Sequence, residues 1–168
     1  ASLTSPFFAS MRMDLPAISD PQGPAEEARA AALQSFDTDE HAVYVRGSAE
    51  VVGLMCLRVF MRDELRTEEE TERLEHGARQ LGAAFQNVNF LRDLGDDTGR
   101  LGRAYLGPDI DMTPELQRQW IATIREQLAD ARAALPLLPQ DARAAVGCAL
   151  RLFERLADEI ARTPAERL

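Results

Sequence analysis

A cluster of amide and carboxylate side chains lies within residues 86–97, at spacings that place them on one side of a helix. At about 100° per residue, Gln86, Asn89, Asp93 and Asp97 fall within a stripe roughly 80° wide. Two carboxylates one helical turn apart repel each other, so a bound cation would stabilise the pair. Oxygen ligands suit Mg²⁺, which keeps several waters and is often completed by substrate phosphates. The stripe therefore predicts a magnesium site.

Two arginines and a tyrosine, Arg100, Arg103 and Tyr105, follow the acidic stripe. Arginine offers planar, bidentate donors to phosphate. Carboxylates for a metal and arginines for a phosphate together describe a site for a magnesium-bound diphosphate. The Asp-x-x-x-Asp pair on its own favours a simpler interpretation, an acidic helix end followed by a basic surface turn.

The whole string is more specific than the pair, because it resembles the second aspartate-rich motif of the squalene and phytoene synthase family. Members of that family read close to Q-x-x-N-x-x-R-D-x-x-E-D-x-x-x-G-R-x-Y-L-P. Asp96 stands in place of the usual Glu, a conservative change at a metal site. The gap before Arg103 is one residue longer than usual, which leaves open whether Arg100 or Arg103 contacts phosphate. The matching residues are Gln86, Asn89, Arg92, Asp93, Asp97, Gly102, Arg103, Tyr105 and Leu106.

A second segment, residues 44–55, resembles the family's Y-x-x-x-V-A-G-x-V-G-x-M element, although Ser48 and Glu50 replace the usual Val and Gly. The resemblance implies that Tyr44 lies beside the reacting carbons. The residues alone allow two interpretations: small residues permit close packing of helices or leave room for a ligand, and a tyrosine can simply cap a core. The matching residues are Tyr44, Ala49, Val52, Gly53 and Met55.

The resemblance implies a transferase that joins two allylic prenyl diphosphates head to head, with Mg²⁺ as its cofactor. Ionisation of a diphosphate would give a carbocation, and a dry apolar cavity would protect it from water. The implied catalytic residues are Tyr44, Asp93 and Asp97. The implied substrate-binding residues are Gln86, Arg92, Arg100, Arg103 and Tyr105, and the implied metal ligands are Asn89, Asp93, Asp96 and Asp97.

The family's first aspartate-rich motif is missing from these 168 residues and would have to precede Ala1. We therefore expect the chain to correspond to the C-terminal three-fifths of such a synthase and to be inactive alone. A missing N-terminal segment or a homo-oligomer would be needed to complete the site. Two other interpretations stay open: a non-catalytic isoprenoid-binding or partner subunit that has lost one metal motif, and a plain helical bundle without a site.

Composition and charge narrow the class of protein. The net charge is −9, from 28 acidic and 19 basic residues, which argues against a nucleic-acid-binding protein. No apolar run is long enough to span a bilayer and no secretory signal is visible, so we expect a cytoplasmic protein, with peripheral contact to a membrane as a further option. Cys56 and Cys148 are predicted to be small buried residues without a disulfide. His41 and His76 are predicted to lie on the surface.

Helix signals dominate and strand signals are nearly absent. Capping boxes occur at residues 37–40 and 67–70, and Thr113 precedes a proline at a helix start. Residues 51–60 are apolar almost all round, which predicts a helix buried on every side. The sequence predicts an all-α fold, and the resemblance implies one antiparallel bundle of the isoprenoid synthase type over residues 1–168, lacking its N-terminal helices. The predicted helices are residues 1–14, 24–35, 38–63, 68–97, 114–134 and 140–162.

Overall fold

The computed structural model describes residues 3–13, 34–35, 38–96, 103–104 and 112–168. Two-residue strands, β1 (Gln34–Ser35) and β2 (Arg103–Ala104), pair in parallel. Short 3₁₀ turns follow the last two helices, at Leu135–Leu137 and Ala165–Arg167. The α-helices are α1 (Thr4–Met13), α2 (Thr38–Val45), α3 (Val51–Phe60), α4 (Glu68–Asp96), α5 (Pro114–Ala134) and α6 (Gln140–Arg162).

The predicted all-α fold is confirmed, with two differences in detail. The predicted helix 38–63 contains a π-helical turn at Arg46–Glu50, which separates α2 from α3. The predicted helix 24–35 is wrong at its end, because its last two residues form β1; its other residues lie outside the described part of the chain. Among the described helices, none combines the length and apolar character needed to cross a membrane.

Side-chain caps fix where helices α4 and α5 begin. At the start of α4 the Thr67 hydroxyl accepts the Glu70 N–H at 3.2 Å, and the Glu70 carboxylate accepts the Thr67 N–H at 3.0 Å. This is the reciprocal arrangement of a capping box. Thr113 caps α5, with Pro114 at the first helical position. Both predicted starts are confirmed, whereas the box at 37–40 lies partly outside the described residues.

Helix α4 lies at the centre and packs against α3, α5 and α6. Helices α4 and α5 are antiparallel, because residues later in α4 contact residues earlier in α5. Nε2 of His76 lies 3.0 Å from Oδ2 of Asp130, and Nδ2 of Asn87 donates to Oε1 of Gln127 at 3.1 Å. The predicted antiparallel packing is thus seen between these helices. The main core lies between α4, α5 and α6 and contains Ala84, Val88, Leu91, Ile121, Ile124, Leu128, Ala131, Leu150, Ala157 and Ile160.

Helices α3 and α4 cross so closely that their glycines leave no room for a side chain. A Cβ atom on Gly53 would lie 2.3 Å from the carbonyl oxygen of Ala78. A Cβ atom on Gly82 would lie 2.4 Å from the carbonyl oxygen of Ala49. Close helix approach therefore explains Gly53, and these two contacts fix how α4 is placed relative to α3 and to the π-helical turn that precedes it.

The prediction that residues 51–60 are buried on every side is wrong. Leu54 is buried, but Val59 on the same helix is 63 % exposed. Cys56 and Cys148 are both exposed, which overturns the prediction that they are buried; neither forms a disulfide. Cys56, in the middle of α3, lines a hollow in the bundle, and this explains how an apolar helix can have an exposed residue there.

Candidate functional site

The π-helical turn at Arg46–Glu50 lies in the segment that was predicted to approach the reacting carbons. Two hydroxyl groups converge beside it on the carbonyl oxygen of Tyr44: Ser48 Oγ donates at 2.7 Å and Ser10 Oγ at 3.1 Å. Such side-chain bonds compete with the regular helical ladder and so favour the wider turn. π-Turns within α-helices are frequently found at functional sites.

Tyr44 is buried, with 6 % of its surface exposed, and its ring lies 6.0 Å from that of Phe90. It packs in the core at this end of the bundle, so its burial alone is explained by packing. His41 is half-buried, with ring contacts of 4.9 Å to Phe90 and 5.2 Å to Trp120. The prediction that His41 lies on the surface is wrong, whereas His76 is exposed as predicted.

An apolar cavity of about 360 Å³ lies between α3, α4, α5 and α6. Ser48 and Gln86 line one end, and because α3 and α4 are antiparallel, Phe60 and Leu74 line the other. The wall follows α4 from Leu74 to Gln86, a distance of about 18 Å at a rise of 1.5 Å per residue. The other lining side chains are apolar or small, so the cavity suits a long apolar chain with a polar group at the Gln86 end.

The predicted metal and diphosphate stripe continues from that polar end of the cavity. Asn89 lies one turn beyond Gln86 on α4 and is half-buried. Asp93 follows one turn later, with 40 % of its side chain exposed. The opposite side of this part of α4 is buried in the main core through Val88 and Leu91. The core therefore orients the stripe toward solvent at the polar end of the cavity.

Arg92, which is adjacent to the stripe, forms a bidentate ion pair with Asp93 of the stripe. Nε of Arg92 donates to Oδ1 of Asp93 at 2.6 Å, and the second guanidinium nitrogen donates to Oδ2 at 2.6 Å. These hydrogen bonds lower the pKa of Asp93 below its ordinary value, with the positive charge of Arg92 adding to the effect. Asp93 is thus held ionised, the form in which a carboxylate can bind a metal.

Of the predicted site residues, the described structure brings Gln86, Asn89, Arg92 and Asp93 together at one end of α4. Asp96 is the last residue of α4, but its side chain lies outside the described part. Within the described residues, no cluster of three acidic, histidine or cysteine side chains can hold a metal. Asp97, Arg100 and Tyr105 lie outside the described residues, as does the side chain of Arg103, whose backbone belongs to β2.

The cavity wall contains side chains that were not predicted as site residues, among them Leu81 and Phe85 of α4. The ring of Phe85 stacks on Phe153 of α6, with centroids 3.7 Å apart. A signal for this wall was present in the sequence: Leu74, Ala78, Leu81 and Phe85 recur every three or four residues, as on one helix face. That pattern is shared by every core helix, so it could not distinguish a cavity wall from packing.

Comparison with known proteins decides the family. The family model described as squalene/phytoene synthase matches residues 5–113, about two-thirds of the chain. The chain belongs to the squalene/phytoene synthase family. The match includes both the Tyr44 segment and the acidic stripe on α4. It ends at the N-cap of α5, so α5 and α6 lie outside the region that establishes membership.

Two plant members of the squalene/phytoene synthase family resemble the chain over much of its length. A protein of Zea mays named phytoene synthase 3, chloroplastic, is 34 % identical over 139 residues, which cover 73 % of the chain and 32 % of the plant protein. A phytoene synthase, chloroplastic, of an Oncidium hybrid cultivar is 31 % identical over 139 residues, covering 73 % and 33 %. The chain therefore spans about a third of the length of these relatives.

Glu50 is, with Ser48, one of two residues inside the π-turn that depart from the family pattern. It is half-buried, and this burial raises the pKa of its carboxyl group above the ordinary value, against the opposing charges of Arg46 and Arg79. A carboxyl group whose folded pKa is raised destabilises the fold as it ionises. The ionised carboxylate of Glu50 therefore lowers the free energy of unfolding at neutral pH, whereas the protonated group in acid does not.

We expect Glu50→Gln to raise the melting temperature at pH 7 and to lose this advantage as the pH falls toward 4, because protonated Glu50 no longer carries a buried charge. Thermal unfolding followed by circular dichroism between pH 4 and pH 8 measures the difference. Glu115→Gln is the control, since Glu115 is exposed and its pKa is lowered by hydrogen bonds from Arg118 and Gln119. A Glu50→Gln effect that is constant across this range would show that ionisation is not its cause.

Proposed function

We propose that this chain forms part of the active site of a prenyltransferase that joins two allylic prenyl diphosphates head to head. The supporting observation is the continuity between the apolar cavity and the polar stripe on α4. Gln86 belongs to both, with Asn89 and Asp93 following at helical spacing. In this proposal the prenyl tail occupies the cavity and the diphosphate lies at the stripe.

The described part of the stripe has the donor chemistry of a magnesium site. Asn89 and Asp93 offer oxygen ligands one turn apart on an accessible helix face, and Arg92 keeps Asp93 ionised. We propose that Asp96 and Asp97 complete this ligand set. Bound there, Mg²⁺ would offset the negative charge that develops on the departing diphosphate.

The remaining groups hold the substrate in place. The guanidinium of Arg92 can bind phosphate oxygens in the same bidentate way in which it binds Asp93. We assign further phosphate contacts to Arg100, Arg103 and Tyr105 from the family motif, and the position beside the reacting carbons to Tyr44. The apolar wall offers almost no hydrogen-bonding partner to water, which would otherwise capture an allylic cation.

The 168-residue chain alone should give no head-to-head product from farnesyl or geranylgeranyl diphosphate in the presence of Mg²⁺. The sequence has one Asp-x-x-x-Asp pair, at Asp93 and Asp97, so the second set of charges for a two-diphosphate site must come from other sequence or another chain. Extraction and chromatography of the hydrocarbon products measures turnover. Product formed by the monomeric chain would contradict this requirement for a second acidic motif.

Binding separates the proposed enzyme site from a simple isoprenoid-binding site. Farnesyl thiodiphosphate, an analogue that ionises poorly, should bind the chain more tightly with Mg²⁺ than without it, and more tightly than farnesol or inorganic diphosphate. Isothermal titration calorimetry measures all four cases. If farnesol binds as tightly as the analogue and Mg²⁺ has no effect, the chain binds isoprenoids without a diphosphate site, and the proposed function is wrong.

A further inference from the structure

Ser48, in the π-turn, lines the cavity at its polar end. Of the described residues that form the cavity wall, only Ser48 and Gln86 have an oxygen atom in the side chain. Gln86 continues into the stripe on α4, whereas Ser48 belongs to the turn that precedes α3 and stands where the family pattern has valine. The chain therefore places one hydroxyl group in a largely apolar wall, at the end that leads to the stripe.

The single hydrogen of this hydroxyl group is already used within the protein. Ser48 Oγ donates it to the carbonyl oxygen of Tyr44 at 2.7 Å. Among the described residues, none donates a hydrogen bond to Ser48 Oγ in return. A serine oxygen has two lone pairs besides its hydrogen. Ser48 can therefore present only the negative end of its hydroxyl dipole to a molecule in the cavity.

The surrounding residues hold the hydroxyl group in this orientation. Tyr44 is buried, and its carbonyl oxygen also accepts a hydrogen bond from Ser10 Oγ at 3.1 Å. Helix α1, which contains Ser10, packs directly on the π-turn: a Cβ atom on Gly47 would lie 2.4 Å from the Cβ atom of Ser10. The Ser48 dipole is thus oriented before a ligand binds, and an oriented dipole stabilises a charge without a cost of reorganisation.

The polar end of the cavity is where positive charge would develop in the proposed reaction. When the bond between C1 of the prenyl chain and the diphosphate oxygen breaks, the electron pair leaves with the diphosphate. The allyl group then carries one positive charge, which C1 and C3 share. These carbons are the ones nearest the diphosphate, so they would lie at the Ser48 end of the cavity. An oriented dipole acts more strongly on such a charge in an apolar cavity than in water.

We propose that Ser48 is a catalytic residue that stabilises the allylic cation through the lone pairs of its oxygen. This inference rests on the proposed function, which places the diphosphate at the stripe. Valine, the usual residue of the family pattern, can line the cavity but has no lone pair. The stabilisation is therefore a property of this chain that the family motif does not supply at this position.

Three substitutions separate a direct effect on the cation from an effect on packing. Ser48→Val removes the hydroxyl group and introduces the family's usual residue, so the fold should accept it. Ser48→Thr keeps a hydroxyl group that can bond to the carbonyl oxygen four residues earlier. Ser10→Ala is the matched control, because Ser10 donates to the same Tyr44 carbonyl oxygen but does not line the cavity.

The test compares two analogues of farnesyl diphosphate that cannot ionise and differ only in charge. One is 2,3-dihydrofarnesyl diphosphate, and the other has a protonated tertiary nitrogen in place of its C3. We expect Ser48→Val to weaken binding of the ammonium analogue by about 10–100-fold, the range for a hydrogen bond to a charged group, and to leave binding of the neutral analogue unchanged. Ser48→Thr and Ser10→Ala should keep the wild-type ratio of the two dissociation constants. Calorimetry with the full chain and Mg²⁺ measures both constants.

The outcomes distinguish this inference from the proposed function. If the wild-type chain binds the neutral analogue in a Mg²⁺-dependent way but Ser48→Val leaves the ratio unchanged, the role of Ser48 is wrong and the proposed function stands. A loss in Ser10→Ala equal to that in Ser48→Val would also overturn the inference, because both hydroxyl groups would then act through Tyr44. So would a Ser48→Thr variant that behaves like Ser48→Val. A wild-type chain that binds neither analogue overturns both.

Discussion

Replacing Asp93 by Asn should lower the rate of head-to-head product formation by about 10²–10³-fold, the usual cost of removing one group that stabilises charge in a transition state. The side chain keeps nearly the same shape but loses the charge that a metal requires. The fold should lose about 1 kcal/mol at most, since the ion pair with Arg92 is half-exposed. Product assays, in a preparation that forms product, and thermal unfolding are measured together.

Asp158→Asn is the matched control for Asp93→Asn. Asp158 pairs with Arg125 at 2.9 Å and is exposed to a similar degree, but it lies on α6 away from the stripe. Asp158→Asn should lower the free energy of unfolding by a similar amount and leave activity unchanged. Arg103→Lys is a companion change, because lysine cannot reproduce bidentate phosphate contacts. Should the Asp93 variant melt early yet retain its specific activity, the metal-site assignment is wrong.

Replacing Gly53 by Ala should destabilise the chain by about 2–3 kcal/mol, near the upper part of the range for overpacked positions. The new methyl group would lie 2.3 Å from a backbone carbonyl oxygen, which cannot rotate away. Helices α3 and α4 must therefore separate. For a chain of this length the melting temperature should fall by roughly 4–12 °C. The measurement is thermal unfolding followed by circular dichroism.

Gly147→Ala should have the opposite effect and serves as its control. Gly147 also lies inside a helix, but its added methyl would meet only the Leu135 Cδ1 atom, at an ordinary 3.8 Å. Alanine is favoured over glycine in a helix interior by about 0.5–1 kcal/mol. A stabilised Gly147→Ala beside a destabilised Gly53→Ala would assign the difference to the helix crossing. Equal effects would contradict the role of the crossing.

Helix positions were largely predictable because capping and periodicity are local. The Thr67 and Thr113 caps mark the starts of α4 and α5, and both are present in the structure. The interpretation of residues 51–60 failed because an apolar helix beside a cavity and one inside a core have the same composition. Burial depends on which helices lie opposite, and the sequence of one helix does not contain that information.

The residues of the candidate site and their spacing could be predicted from the sequence, but their side-chain contacts could be predicted only in part. Gln86, Asn89 and Asp93 were placed on one helix face by counting residues, and α4 confirms this spacing. The pairing of Arg92 with Asp93 was not predicted, because neighbouring residues on a helix do not usually face each other. The repulsion expected along the stripe is accordingly offset at Asp93 by an adjacent positive charge.

The π-turn at Arg46–Glu50 also has a consequence for how the segment should be aligned with other proteins. One extra residue in a helical turn rotates everything before it by about 100° relative to everything after it. Residues on either side of the turn, such as Tyr44 and Val52, therefore do not share one helical wheel. A homologue with one residue fewer here could keep both ends of the helix in place, and a gap at this point would mark conserved geometry rather than divergence.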